Sequence, residues 1–150
     1  MNYQAEIYKS VAKCLKEYIP EIKWIDIEKD QLQREREEFP MPMPAVLIGV
    51  GDVDWKTATG KQYGDIEVEI QVYLGRGEET YIRAEGVEGA LDKLGWQDRV
   101  YEALERRSGE TFTGMTRVAT KKAEWGKRYV KMVSRYRCTV HQPRPKRYNK

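Results

Sequence analysis

Histidine and cysteine are nearly absent from this 150-residue sequence, which holds one His and two Cys. With His141 as the sole imidazole, a site built on several histidine ligands is excluded, and a histidine base can only be that residue. It stands beside Gln142 and Pro143 and reads as exposed and structurally incidental. Cys14 and Cys138 lie far apart and near no second ligand, a spacing that supports neither a disulfide framework nor a zinc site. Both read as small buried hydrophobes, kept reduced. Long apolar runs are missing too. The longest nearly uncharged stretch, Phe39 to Gly51, is broken by prolines and is too short to span a bilayer, so no membrane partner is expected. The opening MNYQAEIYKS lacks the charged start, apolar middle and small-residue cleavage site of a signal peptide, so folding in the cytoplasm is expected.

What is present is charge. Charged residues make up 34% of the chain and the mean hydropathy is −0.78, at the polar edge of globular composition. A chain of this length still buries roughly two thirds of its unfolded surface and forms one domain. The net charge of +3 conceals a strong asymmetry. Residues 117–150 hold twelve of the 27 Lys and Arg but only one of the 24 acids, Glu124, a net of +11 that leaves residues 1–116 at −8. Segregation of this kind suits binding a polyanion, steering a partner, or joining copies acidic surface to basic surface. For any single charge, a solvated face is the simpler reading.

Periodicity predicts the elements. Tyr3, Ile7, Val11, Leu15 and Tyr18 trace one face of a helix that Asn2 caps and Pro20 stops. Ile22 to Ile27 reads as a short strand or extended connection, and Glu28 to Glu38 as a solvated loop. The prolines of Phe39 to Pro44 give a stiff lead-in to Ala45–Val50, an apolar run without alternation, as in a strand covered on both faces. Residues 51–64 read as a long hairpin loop. In Asp65 to Leu74, Ile66, Val68, Ile70, Val72 and Leu74 face the core, with Glu67, Glu69, Gln71 and Tyr73 opposite. A break at Gly75 to Glu79 follows, then a helix over 96–107, preceded by a helical turn and ended by Ser108-Gly109. Strands near 114–122 and 129–141 form a hairpin around Glu124 to Lys127. The expected fold is α+β: a mostly antiparallel sheet of four to five strands with two helices on one face, in the order α-(β)-β-β-α-β-β. Residues 1–142 form the single domain and 143–150 a mobile basic tail.

Chemistry is sparse. Gly49-x-Gly51 and Gly75-x-Gly77 lack the remainder of any phosphate-binding pattern and read as turns. Asp52, Asp54 and Asp65 flank the long hairpin; gathered around Mg²⁺ they would suit a metal-dependent nuclease, but loop aspartates more commonly serve turns. No nucleophile has an evident base, so neither an enzyme nor a cofactor is expected. Sixteen aromatic residues point instead to contact surfaces, with Trp55, Tyr63, Tyr73 and Tyr81 placed beside loops or on the polar strand face. Tyr129 and Tyr136 interleave with Lys127, Arg128, Lys131 and Arg135, the mixture of stacking and charge used on nucleic acids.

The amphipathic first helix ending at Pro20, then PMPAVLIGVGDV, GDIEVEIQVYL, LGWQDRVYEALERRSG and FTGMTRVATKKAEWGKRYVKMVSRYRCTV, resemble in order and texture the tail terminator or tail completion proteins of long-tailed phages and prophages. The likeness spans residues 3–140 and rests on no sharp motif, so no functional residue is carried over from it. The charged segment 28–38 and the basic end 143–150 depart from the pattern. The resemblance implies a structural subunit, assembled in the cytoplasm and resident in the virion tail, that joins copies of itself into a ring, a hexamer, on the tail tube and contacts neck or head-joining proteins. The residues read as its interaction surface are Lys121, Lys122, Lys127, Arg128, Lys131, Arg135 and Arg137 on the basic side, with Glu67, Glu69 and Tyr73 on the strand's polar face. The competing expectation is a small basic nucleic-acid-binding protein that uses the 114–141 hairpin and the tail, with Lys127, Arg128, Arg144 and Arg147 as contacts.

Overall fold

The computed structural model describes residues 2–29, 42–76 and 85–146. Most of the charged loop expected up to Glu38, the entry Phe39-Pro40-Met41, the break at Gly77 to Glu79, Tyr81 and the last four residues of the tail lie outside the described residues. Helix α1 spans Tyr3–Tyr18, where its periodicity places it. Asn2 is extended, and its Oδ1 accepts the Ala5 N–H at 2.7 Å, satisfying one orphan amide of the first turn. Ile7, Val11 and Leu15 form the buried stripe. The Ile19 N–H closes the helix on the Leu15 carbonyl at 2.7 Å, one residue before Pro20. Leu15 is fully enclosed, and its truncation to alanine would cost about 2–5 kcal/mol.

Among the described residues the strands are β1 (Trp24–Ile27), β2 (Ala45–Val50), β3 (Lys56–Ala58), β4 (Lys61–Gly75), β5 (Thr116–Thr120), β6 (Glu124–Trp125) and β7 (Tyr129–Pro143). Helices α2 (Val87–Asp92) and α3 (Trp96–Leu104), joined by a 3₁₀ turn at Lys93–Gly95, fall between β4 and β5. The strands make one sheet ordered β1-β2-β4-β7-β5, antiparallel except for the β1–β2 pair. The expected four to five strands become seven because two stretches read as loop and turn pair briefly. β3 folds back on β4 through Thr59-Gly60, where Gly60 supplies the positive φ of 78° a tight hairpin needs. β6 continues the line of β5 along the start of β7.

β4 and β7 pair over their full lengths of 15 residues. At about 3.4 Å per residue that makes a ribbon of roughly 50 Å. Strand parity decides the layers. Val46 and Ile48 of β2, Ile66 to Leu74 at alternate positions of β4, and Val130, Met132, Tyr136, Cys138 and Val140 of β7 pack in one cluster with α1 and with Val100, Ala103 and Leu104 of α3. The two helices thus cover one face of the sheet. They are tied to each other by Arg99 to Glu21 at 2.6 Å and by the Tyr18 hydroxyl, which donates to Glu102 at 3.1 Å. β2 is buried on both faces, as its unalternating run predicts: Ala45 and Leu47 join Tyr73 in a second cluster on the other side. Of the two cysteines, Cys138 is buried and Cys14 half-buried.

Three boundaries differ from expectation. The helix expected to reach residue 107 ends at Leu104, because Arg106 takes a φ of 66° and cannot continue the turn. Its N–H donates to the Met115 carbonyl at 2.8 Å, while the Met115 N–H donates to Arg107 O at 2.9 Å. The tail expected from residue 143 begins inside the sheet: Pro143 stands opposite Lys61, and the Arg144 N–H donates to Gly60 O at 2.9 Å. His141 also belongs to β7, half-buried, with its N–H donating to Thr111 O at 2.9 Å. Finally, the interval read as a long loop packs tightly on Gly64, where a Cβ would lie 2.5 Å from the Asp54 carbonyl oxygen.

Candidate interaction surfaces

The face of the sheet opposite the helices carries the odd-numbered residues of β4 and β7. Antiparallel register sets Asp65 against Thr139, Glu67 against Arg137, Glu69 against Arg135, Gln71 against Val133 and Tyr73 against Lys131. Glu67, Glu69 and Tyr73 therefore meet Arg137, Arg135 and Lys131 within one molecule. On the sheet, therefore, the acidic and basic segments do not form the separate surfaces that joining copies acid to base would use. The chain segregates its charges by sequence, and β-pairing places the acidic column beside the basic one. Glu67 and Arg137 form an ion pair at 3.1 Å with both side chains partly in water, a contact worth a fraction of a kcal/mol. Asp65 accepts from the Thr139 hydroxyl at 2.8 Å.

The two halves of this face differ. Toward the start of β7, Ala45, Leu47 and Tyr73 are buried, with Met43 and Tyr129 packed on them. Tyr73 is 2% exposed, so it is not the surface aromatic its position on the polar strand face suggests. Its hydroxyl donates to Gln71 Oε1 at 2.7 Å, its ring meets Tyr129 edge-on at 5.4 Å, and the Lys131 ammonium stands 5.9 Å from its centroid. Burial, chiefly, pushes its phenol far above the ordinary tyrosine range. Gln71 then donates to Glu69 at 3.1 Å, so one hydrogen-bonded line links the apolar half to the ionic one. Toward the end of β7 the face is open and polar, with Asp65 and Arg137 exposed and Glu67 and Thr139 half-buried. Thr116 of β5 stands beside Arg137 in register.

The other basic candidates group separately. Lys121 follows β5, and its N–H donates to Val133 O at 2.9 Å. Lys122, Lys127 and Arg128 flank β6 at the hairpin end, where the Gly126 N–H closes on Tyr129 O at 2.9 Å. Arg76 clamps this end to β4: its N–H donates to Arg128 O at 3.1 Å and its Nη1 to Gly126 O at 3.2 Å. Of the stacking aromatics expected here, Tyr136 is fully buried and Tyr129 is half-buried against Tyr73. Trp125, which the sequence reading passed over as part of a turn, is 37% exposed. Trp55 is half-buried with its ring edge-on to Tyr3 at 5.5 Å, and Tyr63 is half-buried within β4.

Asp52, Asp54 and Asp65 do come together, lining a cleft of about 240 Å³ with Lys56, Tyr63 and Gly64. Among the described residues, no three His, Cys, Asp or Glu side chains gather closely enough to hold a metal ion. A larger cavity of about 440 Å³ opens between α1 and the ends of β1 and β2, lined by Tyr8, Lys9, Ile27, Glu28 and Val50 among others. Tyr8 donates to the Ile25 carbonyl at 3.3 Å at its edge. One polar anchor escaped the sequence reading entirely. Glu6, 9% exposed on α1, accepts both the N–H and the hydroxyl of Thr111 at 2.8 Å, tying the first helix to the loop before β5. No helix among the described residues is long and apolar enough to cross a membrane.

No family model matches the chain, and no curated protein matches it. Among solved structures it is similar to a chain of the virion of native gene transfer agent (GTA) particle. The two are 15% identical with a TM-score of 0.44, and the match covers 92% of this chain and 99% of the other. Likeness at that level carries no argument about function.

Proposed function

We propose that this protein is a structural subunit of a phage or prophage tail, of the terminator or completion kind, which closes with copies of itself into a ring at the end of the tail tube. Its work is docking, not turnover. The order of elements on which the resemblance rests, a capped helix, a doubly buried strand, a long alternating strand, a helix and a final hairpin, is the order of the fold. The observation that carries the reading is the sheet face without helices. Asp65, Glu67, Arg137, Thr139 and Thr116 present there a polar surface on the longest ribbon of the molecule, indented by a cleft that Asp52, Asp65, Glu67 and Arg137 line. Glu67 and Arg137 are already paired within the subunit and Asp65 holds a hydroxyl, so a neighbour can cover them at a smaller desolvation penalty than bare charges would impose. The partners above and below such a ring are the tube and the neck or head-joining proteins, met in the cytoplasm during assembly.

Light scattering on the purified chain and on Thr139→Trp tests this. The substitution leaves the core untouched and places an indole on the open face. The expected result is a multimer for the native chain and a smaller mass for the variant, with the same circular dichroism. A monomer in both cases, or one unchanged multimer in both, contradicts the proposal.

A further inference from the structure

Several basic side chains on the body of the molecule are engaged, while others, such as Lys9, Lys13 and Lys16 on α1, are exposed without an ion pair among the described residues. Arg99 pairs with Glu21 at 2.6 Å and lies 5.0 Å from the Trp96 ring. Arg117 sits 4.0 Å from the Tyr101 ring and 3.7 Å from Asp98. Arg137 pairs with Glu67, Arg107 donates to the Ala103 carbonyl, and Lys131 leans over Tyr73. Lys121, Lys122, Lys127 and Arg128 are exposed too, without an ion pair or side-chain hydrogen bond among the described residues, and what sets them apart is that they gather around β6 at one hairpin end. Only one acid, Glu124, lies among them in the sequence. Between them stands Trp125, 37% exposed at the sheet's edge. Four free cations around an accessible indole match the stacking platform and electrostatic track used to hold a nucleic-acid strand.

We propose that the β5–β6–β7 hairpin end binds single-stranded nucleic acid, with the base stacked on Trp125 and the phosphates held by Lys121, Lys122, Lys127 and Arg128. This site is independent of the ring contact, which lies farther along β4 and β7. Length supports the assignment. Lys121 adjoins Val133 and Arg128 adjoins Tyr129, so the cations spread along residues 129–133 of β7, about 13 Å, one continuous track rather than a single point of charge. The end is also rigid, because Arg76 fastens both Gly126 and Arg128 to β4. A pre-set hairpin loses little freedom on binding. An acidic protein surface would satisfy the cations but leave the indole without its planar partner.

Fluorescence anisotropy of a labelled oligothymidylate, titrated with the full chain at several salt concentrations, tests the proposal. Four phosphate contacts predict a slope of about −2.8 in log affinity against log salt, which weakens binding about fiftyfold between 50 and 200 mM. Replacing Lys127 and Arg128 by alanine halves that slope. Trp125→Ala weakens binding by about five- to a hundredfold, and Trp125→Phe restores most of it. All these side chains are exposed, so unchanged circular dichroism and melting temperature confirm that the variants fold. Binding that ignores the Trp125 substitution, a slope unaltered by the double variant, equal affinity for polyglutamate, or no binding at low salt overturns the assignment.

Discussion

Replacing Tyr136 by phenylalanine should stabilise the protein, against the usual direction of a core substitution. Tyr136 is 0% exposed on the core face of β7, and its hydroxyl is buried with no well-formed hydrogen bond, the Ser134 side chain on the same face lying close enough for only a weak one. An unsatisfied buried hydroxyl costs about 1–3 kcal/mol, and phenylalanine removes it while keeping the ring that fills the core. In a chain of this size each kcal/mol moves the melting temperature by about 2–4 °C, so a rise of roughly 2–12 °C is expected near neutral pH. The alkaline limb gives a second, signed readout. Burial pushes the Tyr136 phenol up to about 12 from 10.0, so the folded state holds this proton longer than the unfolded chain does. The contribution is fully present below about pH 10 and is lost as pH rises through about 12, and native stability declines across that window. The variant lacks this term and declines less. Cys138, pushed by burial to about 12 from 9.0, leaves a residual slope in both proteins. Urea unfolding at neutral pH and near pH 11, with unchanged m values, measures both effects. A variant less stable than the native chain by more than about 0.5 kcal/mol, with an alkaline decline identical to it, would refute the reasoning and mean that the hydroxyl is bonded.

Other perturbations follow from the same geometry. Glu6→Ala strands the amide and hydroxyl of Thr111 and should cost about 2–4 kcal/mol in urea unfolding; a loss below about 1 kcal/mol would show that water replaces the carboxylate. Gly64→Ala forces a methyl against the Asp54 carbonyl oxygen and the Val53 side chain, for an expected loss of about 1–3 kcal/mol, and an unchanged denaturation midpoint would contradict the tight crossing. Alkylation of the native protein near pH 8 should modify half-buried Cys14 and spare Cys138, with both reacting in urea; rapid native reaction at Cys138 would place it outside the core.

Elements whose signals agree were legible in advance. Helix α1 has its cap at Asn2, its stripe through Ile7, Val11 and Leu15, and its stop before Pro20, so three independent cues point to one boundary pair. Parity in Asp65 to Leu74 assigned both faces of β4, and the unalternating Ala45 to Ile48 announced a strand buried twice. The end of α3 was hidden because a non-glycine residue, Arg106, takes the left-handed turn that Ser108-Gly109 seemed to promise. Charge polarity misled for a plainer reason. Distance along the chain does not say which strands become neighbours, and β4–β7 pairing brings Arg137 to Glu67 across 70 positions. Tyr73 stood on the predicted polar face but is closed in by Ala45 and Leu47 of the adjacent strand. The bases from Lys121 to Arg128 share their stretch of sequence with a single acid, Glu124, and the fold leaves them exposed.

Self-association through the open sheet face is the central claim, and the mass distribution of the purified chain, measured particle by particle over a wide concentration range, tests it most directly. A heterologous contact that closes gives one discrete species, and six copies of the 17.6-kDa chain weigh about 106 kDa. The account predicts such a single closed multiple, dispersed by Thr139→Trp. A 17.6-kDa particle at every concentration, or an unbounded ladder of sizes that the substitution leaves intact, would contradict it.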